Sequence, residues 1–296
     1  MALFNAPPPL EEVERALATI GAAERVSPTA GWLGGFPGLV LHSNRTNEGR
    51  IVVDVVDRPW PDTMGHPQAD PDLFSCWCLG GFGSHVYPGS LERAAQHAYA
   101  APGVQALVSR HRAFVRVRKT APPSAEPLTD LAQLVAVARA LLELPDALAY
   151  FQPNGEIVLD RAALAASIEH AERTGVPALE LHVNVRLWRV EDASGWILMD
   201  TVGLEQVLVP DLEALCDPSR HDENTVARFL RNVSLYQLRH GDVLAGGDTL
   251  DGPGGKWRVE RVDESRVAPP RPVVRLTPAE HRHPDGARLG GGAHLR

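Results

Sequence analysis

From Glu180 to Val190 the chain reads ELHVNVRLWRV, and this run constrains the fold more than any other. Leu181, Val183, Val185 and Leu187 share one face of an extended chain. His182, Asn184, Arg186 and Trp188 share the other. A period of two is the signature of a strand, since successive side chains point to opposite faces. A strand with one apolar and one polar face belongs to an antiparallel sheet packed on one side. The partner follows at once: WILMDTVGLEQV, across a predicted turn at Glu191–Gly195.

Further strand pairs repeat the pattern. GLVLHSN and GRIVVDVVD form a predicted hairpin joined by Arg45–Glu48, with Ile51, Val53 and Val55 on one face and Val52, Asp54 and Val56 on the other. RPWPD ends it, because proline cannot donate to a ladder. ALAYF and EIVL flank a turn at Gln152–Gly155, and MALFNA, RAFVRVRK, KWRVERV and PVVRLT also read as strands. Between them lie helical periods. LEEVERALATIG places Leu10, Val13, Leu17 and Ile20 on one side. LTDLAQLVAVARALLEL carries a stripe of Leu131, Leu134, Val135, Ala138, Leu141 and Leu142. DRAALAASIEHAERTG has Asp160 as its cap and Gly175 as its stop, and GSLERAAQHAYA has Ser90 as its expected cap. TVARFLRNVSLYQLRHG is the last. The predicted class is α+β, with mainly antiparallel sheets and helices packed on one face.

The order strand, helix, hairpin, helix occurs twice, which predicts a tandem pseudo-repeat. Asp54 corresponds to Asp200, and Pro61-Asp62 to Pro210-Asp211. The expected domains are residues 1–108 and 109–277, followed by a Gly/His/Arg-rich tail, 278–296, with little to bury and expected to be disordered.

Bulk chemistry narrows the function classes. The net charge is −8 over 296 residues, which argues against a general nucleic-acid binder. Among 29 basic residues only Lys119 and Lys256 are lysines, as a GC-rich genome would produce. No apolar run approaches the roughly 20 residues needed to span a bilayer, and the start carries no basic-then-apolar leader. A cytoplasmic protein with no membrane partner is expected. Three cysteines, Cys76, Cys78 and Cys216, make a disulfide framework improbable.

The most chemical-looking stretch is LFSCWCLGGFGSHVYPGSLERA, residues 73–94. On a strand, Cys76 and Cys78 would point the same way toward a metal, with His66, His85 and His97 nearby. Zinc needs four ligands and a second cysteine pair is missing, so no metal is predicted. GGFGS lacks the lysine of a phosphate loop, and the third glycine of a dinucleotide fingerprint would fall on Val86. GGDTLDGPGG fails as a calcium loop because its twelfth position from Asp248 is Val259. No cofactor is predicted.

Two sets of candidate residues remain. Trp60, Phe74, Trp77, Phe82 and Tyr87 could anchor a protein partner, because buried aromatics dominate interface energetics. Arg116 and Arg118, on one strand face, could meet an anion or acidic partner. A hydrolase-like site between the halves would draw on His85, His111, Asp200, Asp248 and Asp251. Nothing in the sequence pairs a nucleophile with its base, and the reading favours a non-enzymatic protein.

Residues 111–260 also carry HRAFVRVR, LAQLVAVARALLEL, ALAYFQPNGEIVL, VNVRLWRV, DTVGLEQVLVPDLEA and GDTLDG, in that order. In this order and these motifs the chain resembles a bacterial domain family of unknown function. The resemblance implies no catalytic residue. Proteins of this kind beside toxin or secretion genes imply an immunity or adaptor role. The expectation is a protein-binding module with a protein partner. The sequence carries no signal of oligomeric state.

Overall fold

The computed structural model describes residues 1–26, 35–42, 50–120, 127–189 and 196–280. The turns expected at Arg45–Glu48 and Glu191–Gly195 lie outside these residues, as does the tail from residue 281. Pro278, the first residue of the expected tail, ends a strand. The chain divides into two compact units, Met1–His182 and Val183–Arg296.

The first unit runs β1 (Ala2–Phe4), α1 (Leu10–Leu17), β2 (Ala22–Val26), β3 (Gly38–His42), β4 (Arg50–Val56), α2 (Pro71–Cys78), α3 (Ser90–Gln96) and α4 (Val104–Arg110). It continues with β5 (Ala113–Lys119), α5 (Pro127–Leu141), β6 (Ala147–Gln152), β7 (Ile157–Leu159), α6 (Arg161–Thr174) and a 3₁₀ turn, Leu179–Leu181. Its strands form one antiparallel sheet in the order β2-β3-β4-β5-β1-β6-β7. The division therefore falls after His182 and not after residue 108. The first strand sits between β5 and β6, with Leu3 opposite both Phe114 and Ala149, so residues on both sides of 108 build one sheet.

Elements cover both faces of this sheet, where helices on one face were expected. Leu3, Phe114, Ala149 and Phe151 share a face by register, and Trp60 from the β4–α2 connection meets Phe114 and Phe151 there. Ala2, Val115 and Tyr150 share the opposite face. On that side the Tyr150 hydroxyl donates to the carbonyl of Leu181 (3.0 Å), beside α6.

Two local expectations in this unit change. The segment from Thr63 to Pro88, expected to be irregular, contains α2. Asp70 caps that helix by accepting from the Leu73 amide (3.2 Å), and Pro71 occupies its first turn. Ser90, the expected cap of α3, is instead its first helical residue, with Gly89 in the left-handed region before it. The open amides of Leu91 and Glu92 are taken by the Asp62 carboxylate (2.9 and 2.7 Å), supplied from a distant part of the chain. Asp160 and Gly175 bound α6 as the sequence predicts.

The second unit comprises β8 (Asn184–Arg189), β9 (Ile197–Val202), a 3₁₀ turn (Leu204–Val207), β10 (Asp211–Cys216), α7 (Glu223–His240), β11 (Thr249–Gly252), β12 (Gly255–Val262) and β13 (Val273–Pro278). The strand order is β11-β12-β13-β10-β9-β8, antiparallel except for the parallel pair β10–β13. Helix α7 packs on one face, where Phe229 meets Trp257 at 5.1 Å. The two sheets share no strand order, so the repeated element order is not a structural repeat. What they share is chemical: Asp54 lies directly opposite Arg116, and Asp200 directly opposite Arg186.

Candidate functional site

On the face of the second sheet away from Trp257, a row of charge crosses five strands. Arg186 on β8 lies opposite Asp200 on β9, then come Glu213 on β10, Arg275 on β13 and Glu260 on β12. The loop between β12 and β13 folds over this row. Val267 packs in a small cluster with Leu198 and Leu215, and the Arg266 amide donates to Glu213 (2.6 Å). The same loop delivers Arg271, which donates to Asp200 (2.7 Å), Asp211 (2.9 Å) and the Thr201 carbonyl (2.6 Å).

The three buried acids of this network, Asp200, Asp211 and Glu213, are each occupied, Glu213 by Arg275 and the Arg266 amide. Asp200 accepts from Arg186 through two nitrogens, from Arg271 and from the Trp188 indole (3.0 Å). Asp211 accepts from the Thr201 hydroxyl (3.0 Å) and from the amides of Gly203 (3.2 Å) and Leu204 (3.0 Å). Burial alone would raise the pKa of Asp200, but Arg186 and Arg271 outweigh it and hold the carboxyl below its usual range. Asp200, with all its lone pairs engaged by cations and donors, is a structural anion and not a base waiting for a substrate, whereas burial outweighs the arginines at Asp211 and Glu213 and raises both carboxyls.

The other candidates for a hydrolase-like site are placed as follows. Asp251 on β11 and Asp200 on β9 are separated by four strand steps, about 19 Å at sheet spacing. Asp251 pairs with Lys256 at the surface (2.7 Å), and Asp248 closes a turn by accepting the Ala245 amide (2.9 Å). His111 is a core histidine. Its Nε2 accepts the Trp60 amide (2.9 Å), and its Nδ1 donates to the Val108 carbonyl. Burial lowers its pKa, so it stays neutral. His85 is exposed, in a left-handed backbone conformation.

The aromatic set expected to anchor a partner is largely core. Trp60, Trp77 and Phe82 are buried and pack on one another, with Trp60 meeting Phe82 at 5.1 Å and Trp77 at 6.0 Å. Phe74 and Tyr87 are half-buried. Trp60, Trp77 and Phe82 fill the space over Phe114 and Phe151 and are not available to a partner in this fold. The expected anion site at Arg116 and Arg118 is likewise filled from within, since both donate to Asp54 (3.0 and 2.8 Å). Cys76 and Cys78 lie on a helix, not a strand, so positions two apart point away from each other. Cys76 is buried, and burial raises its thiol pKa. Among the described residues no group of histidine, cysteine and carboxylate side chains could hold a metal ion.

A concave surface lies elsewhere, between α5, α6 and the end of α1, around a cavity of about 540 Å³. Ala132, Val135, Ala136 and Ala140 of α5 form one wall, and Ile168 and Ala171 of α6 the other. Arg139, Glu143 and Glu172 supply its charged groups. Sequence reasoning missed this surface, although a signal was present. The expected core stripe of α5 runs through Leu131, Leu134, Val135, Ala138, Leu141 and Leu142, but alanines extend the apolar surface to Ala132 and Ala136, which are exposed. A helix apolar on more than one side has a second surface to cover.

His182 also lines the cavity, and burial lowers its pKa to about 4. In the folded state it stays neutral down to that value, whereas the unfolded chain protonates it near its ordinary value of about 6.5. Stability from this group is therefore complete above pH 6.5 and is lost as pH falls toward 4, by about 3 kcal/mol. Urea unfolding of wild type and His182→Gln at pH 7 and pH 4.5 checks this. The variant should show a shallower loss, and parallel profiles would contradict the assignment.

Among the described residues no helix is long and apolar enough to cross a membrane. No curated protein and no solved structure matches the chain. Residues 200–277, from Asp200 in β9 to Thr277 in β13, match the model of a family described as a domain of unknown function (DUF4261), so most of the buried charge network lies within the family segment.

Proposed function

We propose that the chain is a non-catalytic, protein-binding module of the adaptor or immunity type, in a bacterial cytoplasm, and that a partner docks in the trough between α5 and α6. The observation that carries this reading is the trough itself, a concave apolar surface of the first unit. Its α5 wall runs from Leu128 to Ala140, about 18 Å at helical rise. That length suits an amphipathic helix of another protein laid into a groove. Arg139 on one wall and Glu172 on the other offer both charge signs to the flanks of such a helix. The saturation of Asp200 and the separation of Asp251 from it favour binding over the hydrolase alternative.

Affinity capture from the source cells with wild type and with Ala136→Trp/Ala171→Trp tests the reading. The expected partner is retained by wild type, lost from the double variant, and bound through a helix with an apolar stripe. Equal capture by both proteins contradicts it, as does self-association that the double variant abolishes.

A further inference from the structure

We propose a second docking surface, at the Leu208 end of the second unit's sheet, for a protein segment that presents an apolar side chain between basic residues. Leu208 follows the 3₁₀ turn Leu204–Val207 with φ 64°, in the left-handed region, and its amide donates to the Glu205 carbonyl (3.0 Å). A bulky side chain is strained there, and glycine takes that conformation at no steric cost. The same side chain is 66% exposed. Among the described residues four non-glycine residues have positive φ, His85, Asp146, Glu156 and Leu208, and eight large hydrophobic side chains are exposed. Leu208 alone belongs to both groups. Neither feature serves the fold, and both fit a side chain held out for a partner.

Register gathers the rest of the patch. Among the described residues the exposed large hydrophobic side chains of the second unit are Leu208, Tyr236 and Val243, and all three lie at one end of the sheet. Asp211, Val273 and Val262 form one row across β10, β13 and β12, and Leu208 stands just before that row in the chain. The Gln237 side chain donates to the Pro210 carbonyl (3.3 Å), which sets Tyr236, in the last turns of α7, at the same end. Arg261, next to Val262, binds the Asp242 carboxylate (2.7 Å) and the Leu244 carbonyl (2.9 Å), and so fixes Val243 between them. The charge at this end is acidic. Asp263 and Glu264 are exposed just beyond Val262, and Glu205 is half-buried in the turn before Leu208. Asp242 and Arg261 cancel, and Arg266 belongs to the charged row of the opposite face, where its amide meets Glu213. Those three acids outnumber Arg239. An acidic rim attracts a basic segment and repels an anionic membrane. A second copy of the chain would set two acidic rims against each other.

Urea unfolding and fluorescence anisotropy together test the assignment. Leu208→Gly should unfold at no lower a urea concentration than wild type, because glycine enters the left-handed region freely. A lower midpoint would show that the leucine is held for the fold, and would overturn the proposal. The binding probe is a labelled dodecapeptide with two leucines between flanking arginines, set against its counterpart with glutamates in place of the arginines. The proteins are wild type, Leu208→Gly, Val243→Ser and, as a control in the first unit, Leu79→Ser. The arginine peptide should bind wild type and the control alike and weaken with salt. It should lose at least about tenfold in affinity in Leu208→Gly and bind measurably more weakly to Val243→Ser. No binding to wild type, undiminished binding by either patch variant, or equal binding of the glutamate peptide would each overturn the proposal. So would a wild-type dimer, seen by light scattering, that Leu208→Gly makes monomeric. Because this patch and the trough lie in different units, failure here leaves the trough reading standing.

Discussion

Arg271→Met should cost the second unit about 3–5 kcal/mol, the scale for breaking a buried ion pair by removing one partner. The guanidinium is buried and bridges Asp200 and Asp211, which are also buried. Methionine keeps much of the volume and removes the charge, leaving Asp211 without a cation and Asp200 with Arg186 alone. It also strips a donor from the Pro269 carbonyl (2.8 Å) and releases the β12–β13 loop that covers the sheet. Urea unfolding followed by near-ultraviolet circular dichroism reads the loss. Adding Asp211→Asn should recover part of it, because the uncompensated charge is then gone. A change below about 1 kcal/mol would mean that the network contributes little to this fold.

Trp60→Ala should destabilise the first unit by about 3–5 kcal/mol, the usual range for truncating a buried aromatic. One ring joins α2, the glycine-rich connection and the central sheet, through Trp77, Phe82, Phe114 and Phe151. Its backbone amide still donates to His111 after truncation, so the loss reports packing and the indole's hydrogen bond to Asp62 (3.3 Å), not the bond to His111. Phe74→Ala, at a half-buried position, should cost less than half as much in the same urea titration. Equal costs would show that Trp60 is not the centre of this core.

The elements were legible because periodicity is local; the site was not, because its parts come from far apart. The alternation in Glu180–Val190 marks β8, but the strand begins only at Asn184, after the 3₁₀ turn Leu179–Leu181. It read Arg186 as solvent-facing, yet that side chain is completely buried. The reason lies outside the run. Asp200 pairs with it from the next strand, in a face lidded by a loop some 80 residues later in the chain. Asp200 was visible as a lone acid on a strand, a chemical candidate, and only the register turned it into half of an ion pair. The cluster around Trp60 misled for the opposite reason. Aromatic and glycine residues in a connection look like a contact surface, but here the connection itself folds back as core. Asp62, which supplies the cap of α3, follows the proline of Pro61-Asp62, and no spacing rule links it to residues some 30 positions on.

The most direct test of the trough as a docking site is a photo-crosslinking residue placed at Ala136, with the adduct located by mass spectrometry in the source cells. The account predicts an adduct to an apolar-striped helical segment of another protein, lost when Ala171 is replaced by tryptophan. An adduct within this chain or to a second copy of it, or no adduct at all, would contradict the account.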